Sequence, residues 1–123
     1  MINKTDFLVI GSGIAGLSFA LKVADFGKVT IITKKNIKKT NTALAQGGVA
    51  AVFDQADSFD LHIKDTLAAG DGLCNKEVVD RVVKDGPERI REIAGMGAVF
   101  NKSGKGEFDF ALGREGGHSA KRI

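Results

Sequence analysis

The sequence predicts an α/β fold, and its first third carries the observations behind that prediction. An apolar run from Phe7 to Ile10 has the length of a buried strand, and Val29 to Thr33 forms a second such run. Between them, apolar residues recur at helical spacing from Ile14 to Phe26, and Gly27 follows as a helix terminator. Strand, helix and strand in this order predict a βαβ unit with parallel strands.

A glycine-rich turn joins the first strand to the helix. It reads Gly11, Ser12, Gly13, Ile14, Ala15, Gly16, which is the pattern G-x-G-x-x-G. The first glycine permits the tight turn, the second lets backbone approach a pyrophosphate, and the third lets helix and strand pack closely. The helix N-terminus would then point its free N–H groups at the phosphates. This context predicts a Rossmann-like dinucleotide site, against the alternative of a purely structural turn.

The predicted sheet is incomplete. A doubly wound dinucleotide fold usually has about six parallel strands, and this sequence offers two convincing ones. We therefore expect residues 1–123 to be the N-terminal part of a larger domain. Such a part would leave sheet edges and apolar faces uncovered.

The end of the second predicted strand lacks the acidic residue that commonly holds the ribose hydroxyls. Thr33, Lys34 and Lys35 stand there instead. A cation at this point fits the 2′-phosphate of NADP, and it equally fits another way of holding the adenosine end of FAD. The lysines at 34, 35, 38 and 39 either lie in a solvated loop or attract an anionic cofactor. We expect the long loop from Lys34 to Gly48 to be functional.

The remaining chain predicts helices followed by a short β-hairpin. Val49 to Phe53 is a short strand or a buried segment. Helices follow the N-caps Ser58 and Asn75, and the Gly86–Pro87 pair predicts a kink or two consecutive helices in the second. The hairpin pairs Ala98–Phe100 with Phe108–Leu112 across a glycine-containing turn.

Composition excludes several functional classes. The net charge is +3, with no Trp or Tyr, which disfavours a nucleic-acid-binding protein. A single cysteine, Cys74, excludes a disulfide framework, and we expect His62 to be a packed or solvent-edge residue rather than a metal ligand. No apolar run reaches the length of a membrane span, and the N-terminus does not read as a signal peptide. We therefore expect no metal, no membrane association and a cytoplasmic location.

The segment from Gly113 to Arg122 places two glycines among charged groups. It is either a surface turn or a loop that presents Glu115, His118 or Ser119 to a substrate.

Four segments resemble a known family. VIGSGIAGLSFAL is similar to FAD-binding flavoproteins of the succinate dehydrogenase and fumarate reductase superfamily, and TNTALAQGGVAAVF resembles the stretch that wraps the flavin in those proteins. GREGGHSAKRI, together with AAGDGLCNKEVV, resembles the L-aspartate oxidase family most closely. The resemblance covers nearly the whole chain and favours FAD over NADP.

The resemblance implies an activity and a set of site residues. The family oxidises L-aspartate to iminoaspartate with reduction of FAD, which dioxygen or fumarate reoxidises, and the product feeds quinolinate synthase on the route to NAD. Glu115 would orient the substrate through its amino group. The glycine-rich turn would contact the pyrophosphate. The residues that would line the flavin are Lys34, Asn41, Thr42, Ala43, Leu44, Ala45, Gln46, Gly47 and Gly48.

Asn41 bears on how the flavin is held. Membrane succinate dehydrogenases and fumarate reductases carry at the matching position a histidine that bonds covalently to FAD. Asparagine cannot form that bond, so the resemblance implies non-covalent FAD. The family's catalytic arginine, substrate-binding histidines, capping domain and second FAD segment match nothing in residues 1–123, so we expect this chain to be catalytically incomplete.

Overall fold

The computed structural model describes residues 3–45 and 48–123. The chain forms two compact units, residues 1–47 and 48–123. In the first unit, β1 (Phe7–Ile10) leads to α1 (Ile14–Val23), a 3-10 turn (Ala24–Phe26) and β2 (Val29–Ile32). The two strands pair in parallel, which confirms the predicted βαβ unit.

The pairing of the strands runs without interruption from Phe7 opposite Val29 to Ile10 opposite Ile32. Phe7 also packs edge to face on Phe19 of α1, with ring centroids 6.5 Å apart. This contact places the helix against the sheet, as the apolar spacing of α1 requires.

The prediction that β1 is buried was wrong for most of the strand. Val9 is buried, whereas the side chains of Leu8 and Ile10 are 56% and 80% exposed. A two-stranded sheet with one helix packed on it cannot cover both of its faces. Large apolar side chains elsewhere in this unit are exposed as well, namely Phe19, Leu21, Phe26, Ile31 and Ile32.

The predicted loop after β2 is partly helical. It contains a 3-10 turn (Ile37–Lys39) and a four-residue helix, α2 (Asn41–Leu44). Thr40 caps α2, because its hydroxyl accepts a hydrogen bond from the Ala43 N–H at 3.1 Å. Gln46 and Gly47 lie outside the described residues.

The second unit is built on two helices, α3 (Phe59–Ala69) and α4 (Lys76–Gly95). The predicted caps are confirmed: Ser58 accepts from the Leu61 N–H, and Asn75 accepts from two N–H groups of the first turn of α4. The alternative of two consecutive helices was wrong, because α4 continues through Pro87 for 20 residues. Pro87 is itself buried, so packing supports the helix where the proline removes a hydrogen bond.

Two apolar clusters form the core of this unit. Ile63 of α3 packs with Val79 and Val83 of α4. Ala51 and Phe110 pack with Ile90 further along α4. No strand is assigned at 49–53, and of the predicted buried segment only Ala51 is completely buried, whereas Val49 is 45% exposed.

The predicted hairpin is reduced to a single antiparallel bridge. Lys102 pairs with Phe110, and neither Ala98–Phe100 nor Phe108–Leu112 is an assigned strand. The Asp109 carboxylate accepts a hydrogen bond from the Gly106 N–H at 2.7 Å. This bond stabilises a turn at the place where the two strands of the hairpin would otherwise pair. Within the described ranges, no helix is both long and apolar enough to cross a membrane.

Candidate functional site

The glycine-rich turn leads from β1 into α1, and two of its positions require glycine. Gly11 has φ of +109°, and its N–H donates to the Ile32 carbonyl at 2.8 Å. A Cβ on Gly16 would lie 2.2 Å from the Gly11 carbonyl oxygen. Glycine is therefore required at 11 by backbone conformation and at 16 by the close approach of helix and turn.

The N-terminus of α1 is open to a ligand. Gly13 is its N-cap and supplies no side-chain hydrogen bond, and the first turn carries no acidic residue. Added Cβ atoms at Gly11 and Gly13 would meet nothing closer than the Thr42 hydroxyl, at 3.7 Å from Gly13. The N–H groups of Ala15 and Gly16 belong to the first turn, where a helix offers no partner of its own. An anion is favoured in such a place by these donors and by the helix dipole.

Side chains from two later segments meet this turn. The Ile14 N–H donates to the Thr42 hydroxyl at 3.1 Å, so α2 lies beside the start of α1. Ser12 is buried, and its hydroxyl donates to that of Thr33 at 2.9 Å, which ties the turn to the end of β2. The segment predicted to wrap the flavin and the predicted phosphate turn are therefore neighbours.

The other predicted cofactor residues of the first unit are exposed. They are Ile14, Ala15, Lys34, Asn41, Ala43, Leu44 and Ala45. Gly48 is exposed too, and it belongs to the second unit. The open helix N-terminus, the glycine surface beside it and the absence of acids in its first turn together fit an anionic dinucleotide such as FAD.

The second unit contains a buried ion-pair network that sequence reasoning did not find. The Arg122 guanidinium donates to both oxygens of Asp57, at 2.8 and 3.0 Å, and to Asp65 of α3 at 2.8 Å. The side chains of Arg122 and Asp57 are 0% exposed and that of Asp65 is 9% exposed. Each charge is thus paired, as burial requires.

The carboxylates of this network are held in their charged form. Burial alone would raise the pKa of Asp65, but hydrogen bonds from Ser119 and Arg122 outweigh it and lower that pKa well below its ordinary 3.8. Burial would also raise the pKa of Asp57, but the hydrogen bonds from Arg122 outweigh it and lower that pKa below its ordinary value. The pKa of His62 is lowered by burial and by the charge of Arg122, so this imidazole is neutral at pH 7. The prediction of a packed His62 is confirmed by its 7% exposure.

These pKa directions predict that the second unit loses stability in acid. Because the folded pKa values of Asp57 and Asp65 lie below 3.8, the unfolded chain binds protons first, and the free energy of unfolding falls as pH drops below about 5. His62 acts in the same direction from pH 6.5 downward. We expect a loss on the order of 2 kcal/mol between pH 7 and pH 3.5, measured by urea titration. Asp65→Asn should flatten the curve, and an equally steep curve in that variant would remove Asp65 as its source.

The segment from Gly113 to Arg122 closes into a loop. An antiparallel bridge joins its ends, and the His118 N–H donates to the Glu115 carbonyl at 3.1 Å. Glu115 is exposed on this loop, and Ser119 donates from both its N–H and its hydroxyl to Asp65. The sequence predicts that Glu115, His118 or Ser119 meets a substrate. It does not predict the role of Asp65, because Asp65 lies 54 residues before its partner Ser119. Its only local signal is a carboxylate on the apolar side of a predicted helix.

Known proteins match this chain over nearly its full length. The family model described as FAD binding domain matches residues 6–123. The chain is 53% identical over 118 residues to L-aspartate oxidase 2-a, chloroplastic, of Nicotiana tabacum, which covers 96% of the chain and 18% of that protein. It is 46% identical over 121 residues to L-aspartate oxidase of Yersinia pestis, covering 97% of the chain and 23% of that protein.

A solved structure agrees with the fold. The E. coli quinol fumarate reductase chain FrdA superimposes with a TM-score of 0.81 at 32% identity, over 96% of this chain and 20% of that one. The chain thus spans 18% to 23% of the length of the relatives it matches. With an open glycine-rich turn at the start of α1 and a family match over residues 6–123, the chain belongs to the FAD-binding domain family.

Proposed function

We propose that this chain is the N-terminal FAD-binding part of an L-aspartate oxidase. The full-length enzyme would oxidise L-aspartate to iminoaspartate and pass the electrons to dioxygen or fumarate. The observation that carries the proposal is the contact of Thr42 with the first N–H of α1, because it joins the phosphate turn to the segment that the resemblance assigns to the flavin. Identity of 53% to a plant L-aspartate oxidase supports the same assignment.

The proposal includes the organisation of the domain. Residues 1–123 would be one part of an FAD-binding domain whose further strands and capping domain cover the apolar faces of the first unit. Support comes from Ile10 and Phe26, which are 80% and 79% exposed, since large apolar side chains in such numbers mark an interaction surface.

The residues of this chain would bind and orient rather than transfer electrons. FAD, when bound, supplies a hydride acceptor. The N–H groups at the start of α1 would hold its pyrophosphate, with Gly11, Ser12, Gly13, Ile14, Ala15 and Gly16 as the cradle. Lys34 and the segment from Asn41 to Gly48 would line the rest, and Asn41 leaves the flavin non-covalent. Glu115 would attract the ammonium group of L-aspartate.

The phosphate site is tested by Gly13→Val in the full-length protein. Gly13 has φ of −76° and ψ of 176°, which valine adopts readily, and a Cβ there meets only ordinary contacts. The branched side chain would instead occupy the space beside the helix N-terminus. We expect FAD affinity to fall by at least about 100-fold with little change in thermal stability, since the lost phosphate contacts are charge-assisted.

The matched control for this test is Gly95→Val. A Cβ at Gly95 meets nothing within 4 Å, and the residue ends α4. The control should bind FAD normally by fluorescence titration. Normal FAD binding by Gly13→Val would show that the pyrophosphate lies elsewhere.

The substrate role is tested by Glu115→Gln. Only aspartate carries an ammonium group, so removal of the carboxylate charge should raise the KM for L-aspartate about tenfold and leave the KM for fumarate nearly unchanged. Glu107→Gln is the control, because Glu107 is an exposed carboxylate outside the Gly113–Arg122 loop. An equal effect on both substrates would contradict the amino-orienting role.

A second candidate function is a soluble enzyme of the fumarate reductase type. The superposition on quinol fumarate reductase favours it. The identity to L-aspartate oxidases, 42% to 53% in several of the relatives, favours the first proposal. Turnover of L-aspartate by the full-length protein supports the oxidase, and fumarate reduction without aspartate turnover supports the reductase. A third reading is a dinucleotide-binding module without chemistry, and it predicts bound FAD with neither activity.

The proposal also assigns a cellular context. Iminoaspartate would pass to quinolinate synthase for NAD biosynthesis, in the cytoplasm. The tobacco relative is named chloroplastic, so fractionation of the source cells distinguishes the two locations. A quinolinate requirement on deletion of the gene would support the pathway.

A further inference from the structure

The Gly113–Arg122 loop is fastened at its base and shaped from within. Gly113 and Arg122 exchange two backbone hydrogen bonds, each 2.8 Å long. Inside the loop, the Arg114 Nε donates to the His118 carbonyl at 2.9 Å, and Gly117 turns the chain with φ of +84°. These contacts fix the shape of the loop that presents Glu115. They do not fix its position on the rest of the unit.

Asp65 of α3 supplies hydrogen bonds that set this position, beside an edge-to-face contact of the His62 and His118 rings, 6.0 Å between centroids. Its carboxylate accepts from the Ser119 N–H at 2.8 Å, from the Ser119 hydroxyl at 2.5 Å and from Arg122 Nη1 at 2.8 Å. These hydrogen bonds join a helix to a loop more than 50 residues later, and they engage both main chain and side chains. Since the Asp65 side chain is 9% exposed, water competes little for them.

Asp57 offers a natural comparison. It binds the same guanidinium with both oxygens, yet none of its hydrogen bonds within the described residues goes to positions 114–121. Asp57 therefore bonds the loop only at its base, through Arg122, whereas Asp65 also bonds Ser119 within it.

We propose that Asp65 is a positioning residue that sets the place of Glu115, through Ser119 and Arg122, for binding of an amino-acid substrate. This inference rests on the proposed function of Glu115. It adds that substrate affinity depends on a residue of α3.

The test compares three alanine variants in the full-length protein with L-aspartate as substrate. Asp65→Ala removes every hydrogen bond from Asp65 to the loop, Ser119→Ala removes only the hydroxyl contact, and Asp57→Ala removes a charge partner of Arg122 without removing a hydrogen bond to positions 114–121. We expect the KM for L-aspartate to rise about tenfold in Asp65→Ala and less in Ser119→Ala, with kcat nearly unchanged. Asp65→Asn should restore most of the affinity, because its amide can still accept at one position and donate to the serine hydroxyl at the other.

A second measurement needs no turnover. Amide hydrogen exchange of the peptide spanning residues 114–121 should speed up in Asp65→Ala and stay near wild type in Asp57→Ala. Should Asp65→Ala fail to fold, Ser119→Ala decides by the same two measurements.

The outcomes separate this inference from the proposed function. A rise in KM that is equal in Asp57→Ala and Asp65→Ala overturns the positioning role, since general loosening of the network would explain it. If the wild-type protein does not turn over L-aspartate, the proposed function fails, and the exchange comparison still decides. Faster loop exchange confined to Asp65→Ala and Ser119→Ala supports positioning, and equal exchange in Asp57→Ala overturns it.

Discussion

Replacement of Gly16 by alanine should lower the free energy of unfolding of the first unit more than replacement of Gly13 in the same glycine-rich turn. The new Cβ would lie 2.2 Å from the Gly11 carbonyl oxygen and 3.2 Å from a methyl of Val9. The nearest obstacle is backbone, so relief requires α1 to move away from β1. We expect a loss of about 3 kcal/mol or more in the free energy of unfolding, and loss of FAD from the full-length protein.

Two glycine-to-alanine controls bracket this expectation. Gly13→Ala adds the same methyl to the same turn, where it meets only Thr42 at 3.7 Å. Gly95→Ala adds it near the end of α4 in open space, where alanine is the better helix former. Urea titration followed by circular dichroism should show a clear loss in Gly16→Ala alone. Equal midpoints in Gly16→Ala and Gly13→Ala would mean that the helix can shift without cost.

The sequence predicted the parts of the fold that local signals determine. The βαβ unit follows from apolar periodicity and the glycine spacing, and the caps Ser58 and Asn75 follow from side chains that satisfy N–H groups three residues away or nearer. The approach of the flavin-wrapping segment to the phosphate turn was expected only through the resemblance. Its physical basis, the hydrogen bond from Ile14 to Thr42, crosses 28 residues and has no local signature.

Other features depended on packing that a pattern does not reveal. Gly86 and Pro87 predicted a kink or two consecutive helices, and the second alternative is wrong, because the helix continues past Gly86, where a Cβ would lie 3.5 Å from that of Ala51. Ala98–Phe100 was predicted as a strand, but Val99 is 96% exposed, so burial of its side chain does not stabilise strand pairing there. The Asp57–Arg122–Asp65 network was missed because its members are 57 and 65 residues apart. From the sequence alone, charged residues so far apart are expected to be exposed on the surface.

Replacement of Arg122 by methionine is the second change with a large expected effect. Methionine keeps an unbranched apolar stem but is shorter than arginine, and it leaves the buried Asp57 and Asp65 without this cation. Removal of one partner from a buried pair is expected to cost about 3–5 kcal/mol, because the remaining charge is uncompensated. Urea titration at pH 7 should show this loss as a lower midpoint for the second unit.

The control for Arg122→Met is Lys84→Met, which also removes a cation bonded to a carboxylate. Lys84 pairs with Asp80 at 2.7 Å, but their side chains are 53% and 45% exposed, so water replaces the lost partner and little change is expected. The two variants should also differ in their response to acid. Without Arg122, one cause that lowers the pKa values of both aspartates is removed, while burial still raises them and the hydrogen bonds from Ser119 still lower that of Asp65. Stability of Arg122→Met should therefore fall less than that of the wild type as pH drops from 7 to 3.5. A loss that is the same at both pH values would assign the effect to packing of the long side chain rather than to its charge.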